Sequence, residues 1–320
     1  MEKDLVDYAY LSDNSRYADL FNGVLFGGEE VLVAEKLKGE DAKLVISSAG
    51  KKKGRYRDVI RKYERDVGYA VLGVENQENV SYTMPFRVME YEIGEYGRQI
   101  SEKEKKHRKK KDVTGAEYLS QFQKNDRLNP CVTLVLFWGE HWDGPEELLD
   151  MVNLEAIPEP LRPYVNNYRM YLVKVREFGN TDVFKTDLKL VFDFMKQTKE
   201  PEGMRGLLLG NEAYKSVSKD AYEVMRVHTN LKELDRFWEE STSEEEVDMC
   251  YAIRMIIKEE REKGREEGRA QGLEQGILLH AYQMVARGRE TVAEALEDIE
   301  LNLTESEFLE GLQAAGYTMP

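Results

Sequence analysis

Cysteine is almost absent from this sequence. Its 320 residues hold two, Cys131 and Cys250, each standing alone. Isolated thiols exclude a disulfide framework and fit a reducing cytosol, so a cytoplasmic location is expected. Histidine is nearly as scarce, at positions 107, 141, 228 and 280. None of the four is spaced as a zinc-binding pair, which argues against structural zinc. No run approaches the ~20 consecutive apolar residues of a membrane helix. The opening MEKDLVDYAY lacks the basic-then-apolar pattern of a secretory signal.

Charge, by contrast, is plentiful. A third of the residues (33%) are charged and 41% are hydrophobic, with a net charge of −15. That is apolar enough to bury a core, and the length suits one large domain or two smaller ones. The excess of acid seems to exclude a nucleic-acid partner, but its distribution reverses that. Residues 239–320 hold 20 acids against 8 bases, whereas the rest of the chain is nearly balanced. Two segments are strongly basic: 51–65 (KKKGRYRDVIRKYER) and 98–112 (RQISEKEKKHRKKKD), each with 8 bases. Phosphate binding depends on such local patches rather than on total charge, although solvated loops give the same composition.

Residues 14–26 (NSRYADLFNGVLF) carry Tyr17, Leu20, Phe21, Val24 and Leu25 at helical spacing, and Gly27-Gly28 ends that helix. Residues 29–37 suit either a strand or a second helix. RYRDVIRKY and YAVLGVENQ read as strands joined at the Asp66-Val67-Gly68 turn, a hairpin. Counting outward from Val67 sets Asp58 opposite Asn76 and next to Glu75, within a residue or two. TMPFRVMEYEIGEYGRQI reads as a helix with Pro85 in its first turn. Residues 103–111 show no apolar face and are expected to form a mobile connector. NPCVTLVLFWG is a β-prone run suited to a central strand, HWDGPEELLDMV a turn and short helix, and YRMYLVKVREF a further strand. From Asp182 to about Trp238 the pattern is mostly helical.

These elements predict an α/β nuclease-like domain over 1–180 and a helical extension over 181–243. A charged helix or linker over 244–276 and a small acidic helical module over 277–320 follow. Gly264, Gly268, Gly272 and Gly276 form a stripe at four-residue spacing, between pairs such as Glu262–Arg265 and Glu266–Arg269. Either a solvated helical linker or a seam in a homo-oligomer accounts for the stripe.

Hydrolysis of a phosphodiester needs a cation to offset charge building on the phosphate and a water of lowered pKa. Magnesium takes oxygen ligands and keeps several waters. Asp58 and Glu75, projecting from adjacent strands, with the backbone carbonyl of Asn76, supply a suitable half-shell. Gln77, two residues beyond Glu75 on the same strand face, is placed to hold the attacking water or a phosphate oxygen. By spacing alone, these two acids are equally consistent with surface charges near strand ends.

The stretch VGYAVLGVENQENVSYTMPFRVMEYEIGEYGRQ resembles the recombination-promoting nuclease and transposase family of the PD-(D/E)XK superfamily. The similarity includes Asp58 in RYRDVI, Glu75 and Gln77 in VENQ, and Met84, Arg87 and Tyr91 in MPFRVMEY. It extends through GAEYLSQFQKNDRLNPCVTLVLFWGEHWDGPEELLDM and VDMCYAIRMIIKEEREKGREEGR, to about residue 270. The resemblance implies a restriction-endonuclease-like core, a mixed sheet flanked by helices, followed by a helical C-terminal region. It implies an endonuclease hydrolysing DNA with Mg²⁺, for which Mn²⁺ substitutes, in recombination or transposon-like biology. Asp58 and Glu75 then become metal ligands, and Gln77 stands where the superfamily usually has lysine, a dipole in place of a charge. An acid on the first helix often completes such sites. Asp19 is the candidate, with Ala18 where the family often has histidine; a helix-surface charge is the alternative. Arg87 and Gln99 are placed to reach phosphate or to make structural hydrogen bonds. Lys51, Lys52 and Lys53 form a plausible contact to the DNA backbone. Trp138 and Trp142 around His141 suit core packing better than base stacking. A nucleic-acid-binding protein with weak catalysis and a scaffold assembled through its acidic tail are the competing readings.

Overall fold

Asp13 begins the second helix of the chain by accepting a hydrogen bond from the Arg16 amide at 2.9 Å, and Gly27 ends it in a left-handed conformation with φ 61°. That helix, α2 (Asn14–Phe26), follows α1 (Glu2–Leu11). The computed structural model describes residues 2–39, 43–48, 51–56, 58–66, 68–229, 234, 246–299 and 303–318. The chain forms two units, Met1–Tyr251 and Ala252–Pro320. Residue 180 falls inside the first.

The segment that fitted either strand or helix is a single 3₁₀ turn, Ala34–Lys36, leading into a short strand β1 (Leu37–Gly39). Strands β2 (Lys43–Ser48) and β3 (Lys51–Tyr56) form a separate antiparallel pair. The stretch expected as one strand around Asp58 is therefore two, with β4 (Val59–Arg65) starting one residue after it. β4 pairs antiparallel with β5 (Gly68–Gln77) in the expected hairpin. Arg65 faces Gly68 across the turn, where φ is 151° and a Cβ would come within 2.7 Å of the Asn129 side-chain oxygen. The register is one residue away from the count centred on Val67. Val59 pairs with Val74, so Asp58 lies one step beyond, level with Glu75 rather than Asn76.

Helix α3 (Met84–Lys110) leads from β5 to α4 (Glu117–Ser120) and then to β6 (Cys131–Phe137), which runs parallel to β5. β7 (Tyr171–Lys174) adds in parallel, giving a five-stranded mixed sheet ordered β1-β4-β5-β6-β7. β6 has a partner on both sides, as its run of Val, Leu and Phe requires. The expected strand around β7 is shortened to four residues, and HWDGPEELLDMV contributes a 3₁₀ turn, Leu148–Met151.

Side chains alternate across the sheet. Glu75 meets α3 side chains on one face, and Val135 and Phe137 of β6 pack there with Met84 and Val88. On the other face Trp138 reaches Asn76 and packs on Phe192. The Tyr17 hydroxyl of α2 donates to the Leu72 carbonyl at 2.9 Å. Buried aromatic and aliphatic side chains at this density contribute roughly 1.5–3 kcal/mol each, so the sheet and its flanking helices form the main core.

The basic segment 103–111 is not a connector. It is the last two turns of α3, a single 27-residue helix. Its anchor is His107, buried between Asp112 at 2.7 Å and Asp126 at 2.9 Å, with Lys103 on the other oxygen of Asp126 at 3.0 Å. These bonds tie the helix end to the segment that follows it.

Helices α5 (Leu188–Lys196), α6 (Pro201–Gly210) and α7 (Lys219–Val227) fill the described part of the region expected as a helical extension, of which 230–233 and 235–243 lie outside the described residues, and a two-residue strand β8 (Val217–Ser218) pairs with β9 (Glu246–Val247). The extension is bound to the first two helices of the chain. Arg16 clasps Asp187 through two bonds of 2.9 Å and donates a third to Asp220 at 2.9 Å. His228 meets Asp7 at 2.8 Å, and both side chains are 2% exposed.

The C-terminal region is helical. α8 (Met249–Ala286) carries the glycine stripe, and α9 (Val292–Asp298) and α10 (Glu305–Ala314) follow. Each of the last two begins with a reciprocal capping box, Thr291 with Glu294 and Thr304 with Glu307. Tyr282, Val285, Val292, Ala295, Phe308 and Leu312 make their common core. Gly264, Gly268, Gly272 and Gly276 are exposed, with no described atom within 4 Å of an added Cβ. Among the described residues no helix is long and apolar enough to cross a membrane.

Candidate active site

The C-terminal end of β5 carries the motif VENQ to the edge of the core, and the start of β4 carries Asp58 to the same level. The Asn76 amide donates to Asp58 Oδ2 at 2.6 Å, tying the two strand ends together. Burial pushes the Asp58 carboxyl up to about 6 against the amide bond that lowers it. The charges of Asp4 and Asp7 on α1 push it up further, and Arg87 pulls it down. Burial also raises Asp7 itself, opposed by its bond to His228.

Glu75 is 2% exposed. Its Oε1 accepts from Arg87, from the Tyr91 hydroxyl at 3.1 Å and from Gln77 Nε2 at 3.3 Å. Burial and the adjacent Glu75 charge push the Tyr91 hydroxyl up to about 12, so it remains a donor at neutral pH. Arg87 and Tyr91 lie one turn apart on α3, and Arg87 also donates to the Tyr91 oxygen at 3.2 Å. The Gln77 amide nitrogen donates to the Asn76 carbonyl at 2.7 Å, while its oxygen faces Arg87 Nη1 at 3.5 Å. Asn76 Oδ1 accepts from Trp138 Nε1 at 3.1 Å, and Trp138 stacks on His228 with ring centres 4.3 Å apart.

Asp58, Glu75, Asn76, Gln77 and Arg87 therefore come together. Asp19 does not join them. It is buried, with its carboxylate accepting from the amides of Lys185 and Thr186 and from the Thr186 hydroxyl, at 2.7–3.0 Å. It organises the loop that leads into α5, and it lines a separate concavity with Glu30 and Lys185. Among the described residues no group of three or more acids, histidines or cysteines is arranged to hold a metal ion. Gln99 is also spent internally. At 3% exposure it donates to Glu95 at 2.9 Å and accepts from the Asn129 amide at 2.7 Å. The Lys51, Lys52 and Lys53 side chains lie outside what is described; their backbone forms β3. Trp138 and Trp142 are core residues, as expected, and His141 is exposed.

Two neighbours of the site were not singled out from sequence. Asp4 and Asp7 belong to a helix with little local signature, and nothing in their spacing points to a partner at His228. Tyr91 was named with Arg87 among the residues that carry the resemblance, and its hydrogen bond to Glu75 gives it a place beside the acids.

The arrangement can present two carboxylates to a cation, and its arginine can pair with either Glu75 or an incoming phosphate. Comparison with protein-family models, curated proteins and solved structures finds no match to this chain.

Proposed function

We propose that this chain is a Mg²⁺-dependent endodeoxyribonuclease of PD-(D/E)XK type, related to recombination-promoting nucleases and transposases. The observation that carries this reading is the level pairing of Asp58 and Glu75 at adjoining strand ends, with Gln77 two residues further on. The chain order supports it: a helix, three strands paired antiparallel, a helix, then a parallel strand, realised as α2, β1, β4, β5, α3 and β6.

Two carboxylates and a backbone carbonyl are the kind of hard oxygen donors that a divalent ion such as magnesium takes. Asp58 is a carboxyl whose ionisation is opposed by burial and by Asp4 and Asp7, a penalty that a cation relieves. Asp58 and Glu75, with the Asn76 carbonyl, would hold magnesium. A bound ion there supplies charge at the phosphate and a more acidic water. The chain's own residues do the rest. Arg87 carries the positive charge that Gln77 lacks, and its contacts to Glu75 and Gln77 keep it beside the acids. Gln77 offers an amide for orienting water or phosphate oxygen. Tyr91 holds Glu75 in place by a hydrogen bond.

A second reading, a nucleic-acid-binding or scaffold protein with the nuclease fold, is favoured by one observation. Arg87, Tyr91 and Gln77 already occupy Glu75 Oε1. Nicking of supercoiled plasmid with Mg²⁺ separates the two. The wild type should nick, and Asp58→Ala and Glu75→Gln should lose at least about a hundredfold in rate. Equal nicking by all three proteins would sink the assignment.

A further inference from the structure

The proposed nuclease site uses only the first two turns of α3, and the other end of this helix is strongly basic. Lys105, Lys106, Arg108, Lys109, Lys110 and Lys111 are all exposed. Among the described residues none of the six pairs with a carboxylate, whereas the bases nearer the middle of the helix do: Arg98 with Glu95 and Glu102, and Lys103 with Asp126. A helix C-terminus carries about half a negative charge, so offsetting its dipole needs one of these bases, not six.

This end of the helix is held in a fixed shape. His107 between Asp112 and Asp126 clamps the following loop to the helix. Lys111 and Gln121 take left-handed backbone conformations, φ 54° and 50°, the non-glycine residues described with positive φ. Both line an open concavity of about 600 Å³ together with Arg108, Val113, Tyr118 and Leu119. Tyr118 is 68% exposed and Leu119 93%. Cations beside an exposed aromatic ring and an aliphatic side chain match a sugar–phosphate strand, with charge for the phosphates and an apolar surface for the deoxyribose.

We propose that the C-terminal end of α3 and the 113–122 segment that carries α4 form an anchoring surface for the backbone of duplex DNA, remote from the Asp58–Glu75 site. The choice of DNA as occupant rests on the nuclease reading. Lys105 lies eighteen residues after Arg87, five full turns, and so returns to the same side of the helix. At ~1.5 Å per residue the two are about 27 Å apart, roughly eight steps of ~3.4 Å along a DNA strand. One helix thus spans from the proposed scissile phosphate to a contact most of a turn of duplex away.

The test is binding of a fluorescent 20-base-pair duplex, measured by anisotropy against salt concentration in EDTA, so that binding is read without cleavage. The full chain is compared with Lys105→Gln/Arg108→Gln/Lys109→Gln/Lys110→Gln, with Tyr118→Ala, and with a control, Arg162→Gln/Arg205→Gln, which removes two exposed bases elsewhere. Each phosphate contact contributes about 0.9 to the slope of log K against log salt. The fourfold variant should lower that slope by roughly 3 to 4 and weaken binding at least tenfold near 0.1 M salt. Tyr118→Ala should weaken binding with the slope unchanged, and the control should match the wild type. A fourfold variant with wild-type slope and affinity would overturn the proposal, as would equal losses in the control. Displacement of the duplex by poly-glutamate at equal charge would overturn the assignment to DNA. Nicking is read separately. If no protein nicks but the slopes differ as stated, the nuclease reading fails and the surface stands. If Asp58→Ala abolishes nicking while the fourfold variant binds and nicks as the wild type, the reverse holds.

Discussion

Asp58 should cost the protein stability, and the cost should depend on pH. Its carboxyl is pushed up from the ordinary 3.8 to about 6, chiefly by burial. A group whose pKa rises on folding favours the folded state while protonated, and that advantage disappears as pH climbs through the folded value. Below about pH 4 both states hold the proton and burial of the group is not penalised. Above about pH 6 the folded protein carries a buried charge whose full cost, for a shift of two units, is about 3 kcal/mol. Asp58→Asn keeps the shape and an acceptor for the Asn76 amide and never ionises. In urea unfolding with EDTA, followed by tryptophan fluorescence, the variant should exceed the wild type by about 1 kcal/mol near pH 4.5 and by up to about 3 kcal/mol near pH 8. Saturating Mg²⁺ should narrow the gap at pH 8 by stabilising only the wild type. A difference that is the same at both pH values would refute the reasoning, because it would mean that packing, not ionisation, separates the two proteins.

Asp19→Ala should destabilise the fold by about 2–4 kcal/mol, since it strands two amides and a hydroxyl. At a temperature where the variant is folded, its plasmid nicking should equal the wild type; a loss as deep as that of Asp58→Ala would return Asp19 to the metal site. Asp112, and Asp126 with Lys103 behind it, hold His107 above its usual pKa. The clamp should therefore be fully formed below about pH 6.5 and loosen as pH rises through the folded value. Trypsin cleavage at Lys124 and Arg127 should rise with pH in the wild type relative to His107→Phe, and parallel curves would count against the clamp. Replacing Gly264, Gly268, Gly272 and Gly276 by alanine should raise the thermal stability of α8, by up to about 1 kcal/mol per site, because open space surrounds each position. A lower sedimentation mass in that variant would instead reveal an oligomer seam.

The hairpin that sets Asp58 beside Glu75 was legible because its signals are local: two strand-like runs and an Asp-Val-Gly turn. Even so, the count across the turn was one residue out, since turn geometry rather than symmetry sets the register. The buried strand β6 was legible for a similar reason, a continuous apolar run too short for anything else. Residues 103–111 misled because their order comes from His107, Asp112 and Asp126, a clamp invisible to helical periodicity. Asp19 misled differently. An acid on an amphipathic helix near the N-terminus fits a metal ligand as well as it fits a loop anchor, and its partners, Lys185 and Thr186, are more than 160 residues away. Asp4 and Asp7 could not be found at all from spacing, because their relation to Asp58 arises only when α1 packs on the finished core.

The same long reach has a consequence for synthesis. Asp7 waits for His228, 221 residues later, and Arg16 waits for Asp187 and Asp220, 171 and 204 residues later. At roughly 5–20 residues per second, the first two helices leave the ribosome some ten to forty seconds before the residues that neutralise them exist. During that interval the opening segment is a charged, partnerless stretch that nascent-chain chaperones can reach. The contacts that tie α1 and α2 to the helical extension can therefore form only once most of the chain has been made.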